Sequence, residues 1–421
     1  ILYKMTEEEK HNICYYYTNW SMYGRNQHVS DLPIDKMPEI AYAFVNIKKN
    51  SQGQYIPVLS DPYADVDKRY TSGGVEPQDA WYPEPPPGAY FGNFGQFKKL
   101  KDQGKKFHLA LSIGGWTYSK HFSDIMLNEN TRKIFIDELL VILNKYPIFN
   151  KINIDWEYIS PSGKSYGMGH NVTRSEDGSN FISFLKEVKE RFSMGGKKHY
   201  KISGAITGAP DKMDALPVEE LATYLDEFHI MTYDYNSSSW GETKAGHHAN
   251  LRKTDYCPYS VEESVQAYLD RGVPANKIYI GVAFYSRGFA DTLGLAQSSN
   301  GVVSDKSWEE GVLDYKDLPV SGSTEYWDDV AKAHYSYDPV KKELNSYDTV
   351  RSVEEKCKYV KEKGLKGIIV WETSGDFDYN HPRSLVKALY DNLMVEQPKE
   401  QPKEQPKQQP KEQPKEQPKE Q

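Results

Sequence analysis

In the stretch "FNKINIDWEYIS", residues 149–160, Asn153, Asp155 and Glu157 occupy every second position, with Ile152, Ile154 and Trp156 between them. Side chains along a β-strand point alternately to opposite faces, so the three polar groups share one face and the apolar groups the other. A strand covered on both faces ordinarily reads as an unbroken aliphatic run, and a buried carboxylate is costly unless something pairs with it or uses it. Two carboxyls and an amide on one face therefore point to a site rather than to packing. Asp155 and Glu157 are separated by roughly 6.5 Å along the strand and approach from the same side. An ordinary retaining glycosidase needs carboxyls flanking the bond it cuts, which neighbours on one strand cannot easily do. Read as a glycosidase, the chain has its acid here and takes its nucleophile from elsewhere.

Short β-rich apolar runs recur along the chain: "ICYYY" at 13, "IAYAFVNI" at 40, "FHLALSI" at 107, "INIDW" at 152, "KISGAI" at 201, "FHIMTY" at 228, "IYIGVAF" at 278 and "GIIVW" at 367. Helix-period stretches such as "TRKIFIDELLVILNKY" and "TVRSVEEKCKYVKEKG" lie between most of them, the alternation expected of a parallel sheet. Eight such units predict an α/β fold, a closed (β/α)8 TIM barrel with its site at the C-terminal ends of the strands. The chemically unusual residues fall there: Gly114, Gly115 and Trp116 after the third run, Glu157 at the fourth, Tyr233 and Asp234 at the sixth, Arg287 after the seventh, and Trp371 ending the eighth. Residues 288–349 are too many for a βα loop and carry strand-like and turn-like pieces, so they are expected to form a small α+β insertion between strand 7 and strand 8. The chain thus divides into an N-terminal extension, 1–11, a barrel domain, 12–395, and a tail, 396–421.

Composition narrows the partners. A formal charge of -8 over 421 residues argues against a nucleic-acid backbone or an anionic membrane surface, both of which reward clustered Lys and Arg. The basic run "KKLKDQGKKFH" has no aromatic interleaving and reads as the solvated face of a helix. Thirty-two tyrosines and eight tryptophans offer flat surfaces on which a ring-shaped ligand could stack. Cys14, Cys257 and Cys357 lack metal-ligand spacing and leave one unpaired if two were joined, so no disulfide framework is expected. The adjacent His247 and His248 lack the further ligands of a metal site, and neither metal nor cofactor is expected. No run is long enough to span a bilayer and no leader is recognisable at "ILYKMTEEEK", which suits a mature secreted form or a chain that never had one.

At this point the motifs carry a resemblance. "LSIGGW", "INIDWEY", "MTYDY", "FYSRGF" and "GIIVWE" resemble, in order, the signatures of family 18 glycoside hydrolases, and "YYYTNWSMYGRN" with "AYAFVNI" is similar to the bacterial-type chitinases of that family. The resemblance implies hydrolysis of β-1,4-linked N-acetylglucosamine by substrate-assisted retention through an oxazolinium intermediate. Glu157 would protonate the glycosidic oxygen, Asp155 would orient the acetamido group, and the Tyr233 hydroxyl would hold its carbonyl. Trp371 would floor the site, and Tyr16, Phe44, Gly115, Trp116, Tyr158, Met231, Asp234 and Arg287 would line it, with Trp240 stacking on the leaving-group side and Ser112 and Asn153 in support. The implied partner is chitin or a chitooligosaccharide, bound by a secreted monomer whose tail links to another component.

The chain departs from the family's Asp-x-x-Asp-x-Asp-x-Glu pattern, reading "NKINIDWE" with Asn150 and Asn153 at the first two acidic places. In the family the middle aspartate can exchange a proton with the third as a coupled pair. Asn153 cannot ionise, so Asn153, Asp155 and Glu157 are expected to form one hydrogen-bonded ladder with one carboxyl fewer. Other readings are a weakly active chitin-binding lectin, disfavoured by the presence of Glu157, and an endo-β-N-acetylglucosaminidase. From Glu396 the chain repeats "EQPK" almost without variation, and with no apolar residue besides proline it cannot fold and is expected to be an extended, disordered spacer. Deleting residues 396–421 is expected to leave the calorimetric melting temperature and the rate on a soluble substrate unchanged; a clear loss of stability would mean that the tail docks.

Overall fold

The computed structural model describes residues 10–70, 87–161, 164–194 and 200–395. The tail, and all but the last two residues of the expected N-terminal extension, lie outside them. Thirteen strands follow in chain order: β1 (Asn12–Thr18), β2 (Glu39–Lys49), β3 (Tyr55–Leu59), β4 (His108–Gly114), β5 (Lys151–Asp155), β6 (Lys201–Thr207), β7 (Glu227–Met231), β8 (Ile278–Ala283), β9 (Arg287–Phe289), β10 (Thr324–Asp328), β11 (Ala333–Asp338), β12 (Glu343–Tyr347) and β13 (Gly367–Trp371). Parallel pairing in the order β1-β13-β8-β7-β6-β5-β4-β2, closed by β1 on β2, makes the eight-stranded barrel that the sequence predicts. Each expected run supplies one barrel strand.

The alternation of side chains explains how a barrel forms from these residues. Outward positions such as Ile13, Tyr15, Ile152, Ile154, Phe228 and Ile368 join a large apolar cluster beneath the helices. Inward positions such as Cys14, Tyr16, Ala41, Ala43, Ala110 and Ile369 form a second cluster that fills the interior, as eight-stranded barrels require. Helices follow from the second strand onward, among them α1 (Gly92–Asp102), α2 (Gly115–Tyr118), α3 (Phe122–Met126), α4 (Glu129–Lys145), α5 (Asp177–Met194), α6 (Val218–Tyr224), α7 (Val261–Asp270), α8 (Val350–Lys363) and α9 (Leu385–Leu389). The crossing from β1 to β2 is the exception. It contains only 3-10 turns, and Pro33 and Pro38 interrupt any longer helix there. The basic run only partly belongs to a helix, because α1 ends at Asp102.

Between β8 and β13 the strands β10-β11-β12-β9 make a separate antiparallel sheet. The helical part expected of this segment amounts to one 3-10 turn, Tyr315–Asp317. Its first strand, β9, begins four residues after β8 ends, so Arg287 stands on the small sheet while still at the barrel mouth.

The base of the barrel holds charge. The Lys151 ammonium lies between Glu39 and Glu227, 2.5 Å from each, all three buried. Asn12 donates to the other oxygen of Glu39 at 2.8 Å. Burial alone would raise the Glu227 carboxyl, but Lys151, with the hydrogen bond from His229, holds it well below the usual carboxylate range. A depressed carboxyl stabilises the fold above its unfolded value and loses that contribution as pH falls through the folded one. Lys151→Met leaves two buried carboxylates without a counter-charge and is expected to cost about 3–5 kcal/mol in urea unfolding at neutral pH; a cost below about 1 kcal/mol would show that the interior rearranges to admit water.

Candidate active site

Asp155 closes β5, opposite Gly114 of β4 and Ala205 of β6. Past the strand, Trp156 turns outward onto Phe122, with ring centroids 5.3 Å apart, and onto Phe181 at 5.9 Å. That anchor fixes the turn carrying Glu157. Both backbone polar groups of Glu157 are held: its N–H donates to Ser119 Oγ at 2.9 Å, and its carbonyl accepts from Asn171 Nδ2 at 2.8 Å. Ser119 in turn donates to the carbonyl of Gly115 at 2.8 Å. The two glycines before it are obligatory, since a Cβ on Gly114 would lie 2.3 Å from the Asp155 carbonyl oxygen and one on Gly115 would lie 2.6 Å from the Phe44 ring.

The carboxyls of Asp155 and Glu157 hydrogen-bond each other, and both are pushed up. For Asp155 the causes are burial and the neighbouring Glu157 charge, which hold it well above the ordinary range. Glu157 rises to about 7, through burial first and the charge of Asp234 second, against hydrogen bonds from Tyr158, Asp155 and the backbone of Trp116. Asp155 Oδ1 is buried without a partner in the protein.

Asn153 corrects the ladder expected from the strand. Its Nδ2 donates to Ser112 Oγ at 2.8 Å and its Oδ1 accepts from Ser203 Oγ at 2.9 Å, and it makes no hydrogen bond to Asp155. Ser112, Asn153 and Ser203 share one level of the barrel. Partners on adjacent strands lie about 4.8 Å away, closer than the next inward position on the same strand, and a short amide reaches them first. Asn150 is likewise spent below, accepting from the Leu109 N–H at 2.9 Å.

The opposite wall brings Tyr233 and Asp234 from the loop after β7. Asp234, at φ 59, accepts from Arg287 Nε at 2.8 Å and from the Tyr285 hydroxyl at 2.7 Å. Its own N–H donates to His248 Nδ1 at 3.3 Å. Burial would raise this carboxyl, but the Arg287 charge and the hydrogen bonds hold it well below the usual range. Gly281 makes room for Tyr233, whose ring a Cβ there would meet at 2.6 Å. The floor is aromatic: Trp371 stacks on Phe44 at 5.7 Å and 21° and meets Tyr16 at 5.7 Å. Met231, Tyr233 and Trp371 all pack on the interior cluster that contains Tyr16 and Phe44. Trp116 and Trp240 are exposed at the rim, 45% and 53%, with Trp240 lying over the Arg287 guanidinium at 4.8 Å. Lys212 approaches the Tyr158 ring at 5.5 Å.

Several site residues escaped the sequence. Trp20, 6.5 Å from Trp371 and 6.2 Å from Phe44, had a visible signal as an aromatic just past the first strand. Tyr285 stood unremarked inside "FYSRGF" and His248 was weighed only as a metal ligand, while Ser119 and Asn171 had no signal, being ordinary polar residues outside the motifs. His248 serves Asp234 while His247 Nε2 meets Asp328 at 3.0 Å, so the two imidazoles face different partners. The one group with metal-like spacing among the described residues is Cys14, Glu39 and His229, whose ligand atoms lie within 4.8 Å of one another. Glu39 is committed to Lys151, and His229 to Tyr16 and Glu227.

Comparison with known proteins agrees with this fold. A family model described as glycosyl hydrolases family 18 matches residues 12–376. Chitinase 1 of Aphanocladium album is 36% identical over 366 residues, covering 85% of this chain and 80% of that protein. Chitinase A1 of Niallia circulans is 32% identical over 418 residues, covering 87% of this chain and 57% of the relative. Among solved structures, chitinase ChiA74 from Bacillus thuringiensis superposes with a TM-score of 0.78 at 29% identity, over 92% of this chain and 71% of that one. The catalytic domain of the psychrophilic chitinase B from Arthrobacter TAD20 gives 0.80 at 25% identity, over 92% and 96%. With its barrel, its strand-end motifs and a family match along most of its length, the chain belongs to glycosyl hydrolase family 18.

Proposed function

We propose that this chain is a chitinase in which Glu157 is the acid and the substrate supplies its own nucleophile. The observation that carries the mechanism is the one-sided carboxyl pair with its unpartnered oxygen, Asp155 Oδ1. A buried carboxylate oxygen without a donor is costly, and the acetamido N–H of an N-acetylglucosamine unit over Trp371 is the donor that fits it. Asp234, the carboxyl on the opposite wall, is bound by Arg287 and Tyr285 and is unavailable as a nucleophile.

Glu157 gives its proton to the glycosidic oxygen as the C1–O bond breaks, and the acetamido carbonyl oxygen bonds to C1 to form the oxazolinium ring. Asp155 accepts from the acetamido N–H and balances the ring's positive charge. Burial holds the Tyr233 phenol well above its usual value, so it remains a donor to the acetamido carbonyl oxygen. Water then attacks C1 and gives a proton to Glu157 as the ring's C1–O bond breaks and the acetamido carbonyl is restored. Trp371 and Phe44 provide the apolar floor, and the exposed Trp116 and Trp240 provide stacking faces for further sugar rings.

No helix among the described residues is long and apolar enough to cross a membrane. An insoluble polymer is met outside cells, so the setting proposed for this chain is extracellular, with the barrel acting as a monomer and the proline-rich tail as a spacer to another component.

Glu157→Gln is expected to abolish hydrolysis of a fluorogenic chitooligosaccharide while retaining its binding, because the amide keeps the shape without the proton; near-wild-type turnover would place the acid elsewhere. Asp234→Asn removes a charge that raises Glu157 and leaves Arg287 with only the exposed Glu309, 3.2 Å away, as its counter-charge. Both changes favour the Glu157 anion, so the basic limb of kcat/KM, near pH 7 in the wild type, is expected to move to lower pH. A limb that stays put or moves up would show that Asp234 does not act on the acid.

A further inference from the structure

A parallel ladder holds backbone groups only as far as its last pair. For β5 that pair is Asp155, opposite Gly114 on one side and Ala205 on the other. Glu157 stands two residues beyond, where neither neighbouring strand holds its peptide groups. A general acid must come within about 2.6–3.2 Å of the oxygen it protonates, and a misplacement of about 1 Å can cost about a hundredfold in rate. Whatever fixes the root of this side chain therefore bears on rate.

Ser119 takes the place of the missing ladder partner. It begins the 3-10 turn Ser119–His121 that follows α2, and it is completely buried. Its hydroxyl accepts from the Glu157 N–H at 2.9 Å. The single hydroxyl proton is shared between the Gly115 carbonyl oxygen at 2.8 Å and that of Asp155 at 3.2 Å. One side chain thus ties the end of β4, the end of β5 and the peptide of Glu157. From the other side Asn171 Nδ2 donates to the Glu157 carbonyl at 2.8 Å. The loop that carries it comes so close that a Cβ on Gly167 would lie 2.1 Å from the same oxygen.

The two holders belong to one stitched unit. The Val172 N–H, one residue past Asn171, donates to the carbonyl of Lys120, one residue past Ser119, at 3.0 Å. Arg174 donates to Asp124 at 2.9 Å and to Ser123 at 2.7 Å, and Ser123 donates to Asp177, the first residue of α5, at 2.6 Å. The Glu157 peptide is gripped between the segment after β4 and the loop after β5. Among the described residues both Ser119 and Asn171 spend their side-chain hydrogen bonds on main-chain atoms.

We infer that Ser119 and Asn171 are positioning residues that set the height and direction of the Glu157 carboxyl, acting through its backbone alone. Loss of either leaves the carboxyl chemically intact and lets it wander from the glycosidic oxygen. The damage then falls on leaving groups that need a proton. A sugar leaving group needs one, whereas a nitrophenol departs as a stable anion. General damage to the fold would lower both reactions by the same factor.

The inference rests on the proposed role of Glu157 as the acid, and the test separates the two. Hydrolysis of chitotetraose and of para-nitrophenyl chitobioside is measured for Ser119→Ala, Asn171→Ala and Glu157→Gln, with kcat/KM reporting the steps up to departure of the leaving group. Ser119→Ala and Asn171→Ala are each expected to lower kcat/KM about tenfold on chitotetraose, through kcat and with KM within about twofold. On the nitrophenyl substrate kcat/KM is expected to stay within about twofold of the wild type. A loss on the nitrophenyl substrate as large as that on chitotetraose, or no loss on chitotetraose, in either folded variant would overturn the inference. The Asn171 arm stands even if Ser119→Ala fails to fold. Near-wild-type hydrolysis of chitotetraose by Glu157→Gln would instead overturn the underlying reading.

Discussion

Closing eight parallel strands on themselves leaves an interior only wide enough for side chains, and any charge enclosed there must be balanced within it. This chain encloses several. Lys151 is buried between Glu39 and Glu227 at the base, while Asp155 and Glu157 share a hydrogen bond at the mouth. All depend on the same strand, β5, where inward positions 151, 153 and 155 run in sequence as ammonium, amide and carboxyl. The uncharged layer of Ser112, Asn153 and Ser203 separates the charged base from the carboxyl pair at the mouth.

That separation shapes the electrostatics of Glu157. Glu157 reaches about 7 by burial and by the charge of Asp234, neither of which requires a carboxyl at position 153. Asp234 can supply that charge because Arg287 and Tyr285 keep it ionised in a half-buried place. A carboxyl held low on one wall and a carboxyl held high on the other give a fixed charge facing the proposed proton donor.

The small antiparallel sheet contributes more than a cover. Arg287 begins β9 and pairs with β12 through Ser346, so its guanidinium is aimed by the sheet's ladder and not by a free loop. Ser346 also approaches His247 and His248, and Asp328 of β10 holds His247. The loop after β7, with Tyr233 and Asp234, is therefore clamped between barrel and sheet.

The sequence by itself determined the number and order of the barrel strands and set Asp155, Glu157, Tyr233 and Trp371 at or just past their C-terminal ends, because two-residue and helical periodicities are local and the motifs lie within single strand ends. The place of Arg287 was legible from its motif, but its attachment to the small sheet was not. Tertiary structure alone decided that Asn153 bonds sideways and not upward, that Lys151 bridges two distant glutamates, and that Ser119 and Asn171 hold the backbone of Glu157. Each of these is a contact between residues at least 38 positions apart, or in Asn171 a loop folding back over 14. Such contacts depend on strand register and on barrel closure, which set residues from different strands at one level, and no period within one segment records which residue will stand opposite.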